Sequence, residues 1–308
     1  MSKLNLQTLK EECGVEISSA SYIGRPINNT VMFITKKVEH LLCNLQYTEG
    51  CLIFAESTVD VPDDLKKKNL FEFTDTPQKE YARFVEEIAM QREKRNFGRK
   101  YTFEKGGYYI GEGVSIGEGS LIEPLCFIGH DVVIGRNARI KSGAQIKNAV
   151  IGDDFIAGEN CIVGTDGFTM ADDEDKNKIR IPTLGKVIIG NQVEIGGLTN
   201  ISSGSGGNTV IEDHVKIDAL VHIGHDVHLS KNVEIPAGAI IGGFVDMGEG
   251  AYVGINAVLR NRITLGRNAF VGMGAVVTKN VQEETIVVGN PAKPFIKNGE
   301  GGEVINPR

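Results

Sequence analysis

Residues 211–277 read IEDHVKIDALVHIGHDVHLSKNVEIPAGAIIGGFVDMGEGAYVGINAVLRNRITLGRNAFVGMGAVV, and an aliphatic returns every sixth place. Those positions are Ile211, Ile217, Ile223, Leu229, Ile235, Ile241, Met247, Val253, Leu259, Leu265, Val271 and Val277. Six helical steps of about 100° each would scatter such residues over several faces. In a strand, an even spacing keeps them all on one side. No globular strand runs for tens of residues, so the chain must turn once per repeat. The pattern predicts a parallel β-helix, a coil of short strands with one aliphatic per strand pointing inward.

The same beat occurs earlier, at Ile110, Ile116, Ile122, Ile128, Ile134, Ile140 and Ile146. After a slip it is read through Val150, Ile156 and Ile162, and then through Ile189, Ile195 and Ile201. At three beats per turn this makes about eight coils, a prism roughly 35–40 Å long. Three residues after the inward aliphatic, or two in the case of Asp213, come residues that tolerate positive φ, among them Gly113, Gly119, Asp131, Asn137, Gly143, Asp213, Asp226, Asn232, Gly238, Gly250, Asn268, Gly274 and Asn280. Tight corners demand that conformation. The pattern resembles the hexapeptide-repeat acyltransferase superfamily. That resemblance implies a triangular cross-section, three repeats per coil and a left-handed winding, an exception to the usual crossover rule.

Two interruptions break the rhythm. Gly164 to about Lys186 is an acidic insertion, and Ser202–Thr209 carries four extra residues. Loops grafted on a strict solenoid are where function is usually placed. Residues 1 to about 98 show no beat. Asn5 is expected to cap a short helix through Glu12, Thr30–Thr35 and Cys51–Glu56 read as strands around a helical stretch near Val38–Leu45, and Thr76 before Pro77 opens an amphipathic helix to about Arg95. The expected fold is mainly β: a left-handed parallel β-helix with a small N-terminal α/β domain. Its parts are a nucleotide-binding domain over 1–98, the β-helix over 99–290, and a C-terminal cap and tail over 291–308. The tail, Lys297–Arg308, is expected to be mobile.

Composition narrows the function. The net charge of -7 and the lack of a basic run argue against nucleic acid as a partner. The five cysteines, Cys13, Cys43, Cys51, Cys126 and Cys161, form no CxxC pair and read as reduced thiols packed as small hydrophobes. Without a signal-like N-terminus or an apolar run of about 18 residues, the expectation is a cytoplasmic protein with no membrane span.

Three of the six histidines, His222, His225 and His228, fall close together. His225 lies two places after an inward aliphatic, at an outward corner, whereas His222 and His228 point outward from flat faces. Acylation of an amine by a thioester needs a base that titrates near neutrality, and imidazole suits the task. The tetrahedral intermediate needs a donor for its oxyanion. Gly243, eighteen residues past His225, stacks one coil above it and offers a backbone N–H with no Cβ in the way.

Here a closer resemblance enters. The stretch Lys216–Val227, containing His222-Ile223-Gly224-His225-Asp226, is similar to the catalytic segment of UDP-3-O-acylglucosamine N-acyltransferases, a lipid A pathway family. Gly164–Phe168 with Ile181–Val187 resembles that family's active-site loop, and Cys43–Tyr47 with Cys51–Ala55 its uracil-binding turn. The resemblance implies His225 as general base and Gly243 as oxyanion donor. It further implies Asn44 and Tyr47 on the uracil, Phe168 and His222 toward the sugar substrate, and Arg262 and Lys293 toward the acyl donor. It implies a homotrimer with each active site in a groove between adjacent prisms, no permanently bound cofactor, no metal, and an acyl-CoA or acyl carrier protein thioester as co-substrate.

Departures from the family loosen its substrate assignment. An Asp-Arg-Gly is absent from Thr199–Gly204, Arg262 stands where a second His would be, the C-terminal helices have no counterpart, and Gly289-Asn290-Pro291-Ala292-Lys293 resembles enzymes using coenzyme A. Two donors therefore stay open: a hydroxyacyl carrier protein, as in lipid A synthesis, or acyl-CoA acting on an amino-deoxysugar of a surface polysaccharide. Weaker readings are a zinc carbonic anhydrase, which needs three His on the metal, and a non-catalytic nucleotide-sugar binder.

Overall fold

The computed structural model describes residues 5–13, 16–172 and 175–295, so the tail Lys297–Arg308 lies outside the described residues. The chain packs as two units. One comprises residues 1–99, 166–185 and 204–208, and the other is the remainder.

The first unit is built on four parallel strands in the order β1 (Ser19–Ala20), β2 (Thr30–Ile34), β3 (Leu52–Glu56) and β4 (Leu70–Thr74). Alternation along β2 and β3 gives the sheet two buried faces. Val31, Leu52 and Phe54 meet Tyr81, Phe84, Val85 and Ile88 from the long helix Pro77–Asn96. Met32, Ile34, Ile53 and Ala55 meet Leu42, Leu45, Val59, Val61 and Leu65 on the other side. The expected helix near residues 38–45 is a 3₁₀ segment, Lys36–Tyr47, kinked at Val38. Asn5 caps the first helix, Leu6–Cys13, by accepting the Thr8 N–H at 2.9 Å.

The acidic insertion, read from the sequence as part of the repeat region, packs within this first unit. Met170–Asp172 and Lys178–Arg180 form an antiparallel hairpin. Ala171, Ile181 and Leu184 join the cluster around Leu9, Tyr81 and Phe84, and Arg92 donates to the Leu184 carbonyl at 2.6 Å. Burying three apolar side chains outweighs a free loop.

The second unit is the coil, with three faces of stacked short strands. Face I runs from Ser115–Ile116 to Thr264–Leu265, face II from Leu121–Ile122 to Ile286–Val288, and face III from Tyr109–Gly111 to Val276–Val277. Eighteen-residue steps keep the aliphatics in register, as in Ile223 on Ile241 on Leu259 on Val277. They form one continuous core.

One stretch is corrected by a residue. Ile134, Ile140 and Ile146 pair with Ile151, Ala157 and Val163, which are buried, while Val150, Ile156 and Ile162 face outward. A small inward Ala157 beside a large outward Ile156 misleads any reading by side-chain size. Accordingly, Ala157→Asp should cost several kcal/mol, because it strands a carboxylate in the dry core. Ile156→Asp should cost only about 1 kcal/mol. Urea unfolding checks this, and the reverse order would contradict the register.

All the corner residues named above have positive φ except Asp213 and Asn280. At the first of these corners it is His214 that takes the left-handed turn, with φ 63°. Of the cysteines whose side chains are described, Cys51, Cys126 and Cys161 are buried, and burial pushes the Cys161 thiol up to about 12. Cys43 is exposed, which corrects the expectation that every thiol packs inside.

Candidate functional site

Both interruptions leave the coil at one edge. The chain departs after Thr165 and rejoins at Lys186, then departs after Ser203 and rejoins at Thr209. Each gap lies between a face III strand and the next face I strand. On the following coils that same edge carries Gly224-His225-Asp226, then Gly242-Gly243-Phe244, then Arg260-Asn261-Arg262. Eighteen-residue spacing stacks these corners, and the Phe244 N–H donates to the His225 carbonyl at 2.9 Å, the Arg262 N–H to the Gly243 carbonyl at 3.0 Å.

His225 is fixed on several sides. Its Nδ1 lies 2.7 Å from Asp226 Oδ2, and the Asp226 side chain is 1% exposed against 15% for the imidazole. A carboxylate accepts, so the pair places the proton on Nδ1 and makes Nε2 the basic nitrogen of the ring. The Phe244 ring meets the imidazole edge-on at 5.0 Å and 88°, and the Arg262 guanidinium caps that ring at 4.1 Å. Asp226, Phe244 and Arg262 have φ of 58°, 59° and 60°. For Phe and Arg this is an uncommon, costly conformation.

The imidazole lies across Gly243. A β-carbon there would sit 2.7 Å from Nε2 and 2.9 Å from Cε1. A side chain at 243 would thus push the imidazole aside by close approach alone, since Gly243 itself is outside the left-handed region. Among the described residues its N–H donates to no backbone acceptor. The corner thus joins an imidazole nitrogen, a backbone donor and a cation two coils above. A centre of this kind can take a proton from a nucleophile while stabilising an oxyanion.

His222 sits on the neighbouring face III strand between Asn200 and Ile240. Desolvation first, and then the charge of His225, hold it below the ordinary imidazole range. His228 is turned to face I, with its nitrogens 3.0 Å from Asp246 and 2.9 Å from Glu212. The three histidines therefore do not converge, and among the described residues no group of three or more His, Cys, Asp or Glu could hold a metal ion. No helix among them is long and apolar enough to cross a membrane.

The remaining sequence-predicted residues lie elsewhere in the two units. Asn44 and Tyr47 share the 3₁₀ segment of the first unit. Asn44 Nδ2 donates to the Ile23 carbonyl at 3.0 Å, and Tyr47 is 85% exposed. Phe168, also in that unit, is 76% exposed and lies 5.2 Å below the Arg180 guanidinium. Lys293 pairs with Val288 in the hairpin that closes face II, and is exposed. Sequence reading missed Asp226 and Phe244 as partners of His225. The eighteen-residue column through Asp226, Phe244 and Arg262 was the available signal.

The bacterial transferase hexapeptide (six repeats) family matches residues 113–148 and 208–243. A UDP-3-O-acylglucosamine N-acyltransferase 2 of Legionella pneumophila is 54% identical over 69 residues, 22% of this chain and 20% of the relative. The UDP-3-O-acylglucosamine N-acyltransferase of Cytophaga hutchinsonii is 46% identical over 72 residues, 23% of this chain and 21% of the relative. The chain thus spans about a fifth of the length of the curated relatives it matches. Among solved structures, the UDP-N-acetylglucosamine acyltransferase of Francisella novicida superposes with a TM-score of 0.56 at 26% identity, covering 61% of this chain and 68% of that one. The chain is a mainly β, left-handed parallel β-helix of hexapeptide repeats, similar in sequence over part of its length to UDP-3-O-acylglucosamine N-acyltransferases.

Proposed function

We propose that the protein is an N-acyltransferase that moves an acyl group from a thioester to the amine of a nucleotide-linked amino sugar. The observation that carries this reading is the single corner where His225 Nε2 lies over Gly243 while Asp226 holds Nδ1. The amine attacks the thioester carbonyl, forming the C–N bond as His225 Nε2 takes the amine proton. The carbonyl oxygen becomes an oxyanion, which the Gly243 N–H stabilises. Collapse breaks the C–S bond, and the imidazolium returns its proton to the leaving thiolate, giving amide and free thiol.

The nucleotide is a uridine or thymidine diphosphate, with its base stacked on exposed Tyr47. Asn44, whose NH₂ already serves the Ile23 carbonyl, has Oδ1 to accept the base N3–H. Phe168 and His222 serve the sugar, while Arg262 and Lys293 meet phosphates of the carrier. Acyl-CoA is the favoured donor over a hydroxyacyl carrier protein, on the strength of the Gly289–Lys293 turn, which joins a short exposed hairpin. The protein works as a cytoplasmic homotrimer with sites between adjacent prisms. The faces meeting at the His225 edge support this: outward Ile162, Ile240, Val258 and Val276 on face III, and Val133, Val150, Ile188 and Val210 on face I.

Turnover tests the reading. The purified protein, given UDP- or dTDP-amino sugars with acyl-CoA or acyl carrier protein, should release free thiol with one such pair; no release with any pair refutes it. Separately, Tyr47→Ala should weaken UDP binding by about tenfold to a hundredfold in calorimetry, the value of one base stack. Unchanged affinity would remove Tyr47 from the nucleotide site.

A further inference from the structure

We infer that Thr209 is a positioning residue for His225, acting through Asp226. This rests on the reading of His225 as the base, and it begins from an irregularity in the coil. At a regular corner the left-handed residue donates its N–H to a corner carbonyl one coil below. His214 donates to Asn191, Leu220 to Gly197, Asn232 to Asp213, Phe244 to His225 and Arg262 to Gly243, all at 2.9–3.2 Å. The corner at Asp226 differs, because one coil below it the chain leaves the coil between Ser203 and Thr209. Its N–H goes instead to the Thr209 hydroxyl, at 3.0 Å.

The hydrogen-bond roles at Thr209 are fixed. An amide N–H can only donate, so Oγ1 accepts there, and its own proton goes to the Ser202 carbonyl at 2.7 Å. Thr209 is fully buried, so water offers neither group an alternative. The hydroxyl therefore takes the part that a corner carbonyl plays elsewhere and holds Asp226 at φ 58°. That turn aims the buried carboxylate at His225 Nδ1, 2.7 Å away. Without the hydroxyl, Asp226 N–H loses this buried acceptor and the corner is free to relax. The Nδ1 proton then loses its fixed partner.

The test compares Thr209→Val, which keeps the shape and deletes the hydroxyl, with Thr209→Ser, which keeps the hydroxyl. The first readout needs no substrate: ¹⁵N spectra of the histidine-labelled full chain, with the His225 signals identified from His225→Ala. Wild type and Thr209→Ser should show the Nδ1–H tautomer of His225, whereas Thr209→Val should show mixed tautomers. In the acyl transfer assay Thr209→Val should lower kcat about tenfold, the effect of one buried donor losing its acceptor, with KM for the sugar nucleotide unchanged. Thr209→Ser should recover kcat. Thr209→Ala replaces the valine variant if that one does not fold. Unchanged His225 signals in the variant lacking the hydroxyl, or a serine variant as impaired as it, would overturn the inference. Failure of wild type to turn over any substrate pair would instead overturn the functional reading and leave the spectra to decide this one.

Discussion

His225→Ala should lower kcat for amide formation by roughly 10²–10⁴-fold, the usual value of a positioned general base. The imidazole supplies the basic nitrogen of its corner: Asp226 is turned to Nδ1, Phe244 is apolar, and the Arg262 guanidinium offers donors and no acceptor. Stability should fall by about 1–3 kcal/mol, since the buried Asp226 carboxylate loses its imidazole partner, which is too little to unfold the coil. Affinity for UDP should hold, because Tyr47 and Asn44 belong to the other unit. Steady-state kinetics beside a thermal melt and UDP calorimetry separate these effects. Full turnover by the alanine variant would refute the proposed mechanism.

Gly243→Ala should lower kcat by about 10²-fold, the scale of a misplacement of about 1 Å in a reacting group. The new methyl would sit 2.7 Å from Nε2, 2.9 Å from Cε1 and 3.1 Å from Cδ2, so the imidazole must swing away. The backbone tolerates alanine there, since the φ of Gly243 lies outside the left-handed region, and the amide N–H survives. The substitution thus isolates ring position from both folding and donor loss. A variant with a normal melting temperature and unchanged kcat would mean that the working imidazole does not lie over Gly243.

Much of the coil could be read from the six-residue beat because every inward position does one job, burying an aliphatic against the coil above and below. Where that job passes to Ala157, the beat is still present but its largest residues, Ile156 and Ile162, lie on the outside, and the reading slips by one. Corners were legible where Gly, Asn or Asp fills them. Leu125, Leu198, Leu220, Phe244 and Arg262 take the same left-handed turn with φ of 59–65°, though their side chains disfavour it. Stacking forces that turn on them, and local sequence carries no trace of it.

The site divides in the same way. His225 and Gly243 follow from spacing, since eighteen residues make one coil. Asp226 was visible beside His225, but only as a corner residue; its second task needs the side-chain direction that the structure supplies. The insertion shows the limit most plainly. Ala171, Ile181 and Leu184 join a core with Leu9 and Phe84, a pairing between segments far apart in sequence. The strand Leu70–Thr74 was also missed, as its exposed Phe73 and charged Glu72 blur the alternation of an edge strand.

The claim on which the rest depends is that a sugar amine, deprotonated at this corner, becomes an amide. The most direct measurement is to isolate the product of a UDP-amino sugar and a thioester and to locate the new acyl group by two-dimensional NMR. The account predicts a carbonyl coupled to the sugar N–H, with one free thiol released per amide formed. An acyl group on a hydroxyl oxygen, or an amine left unmodified, would contradict it.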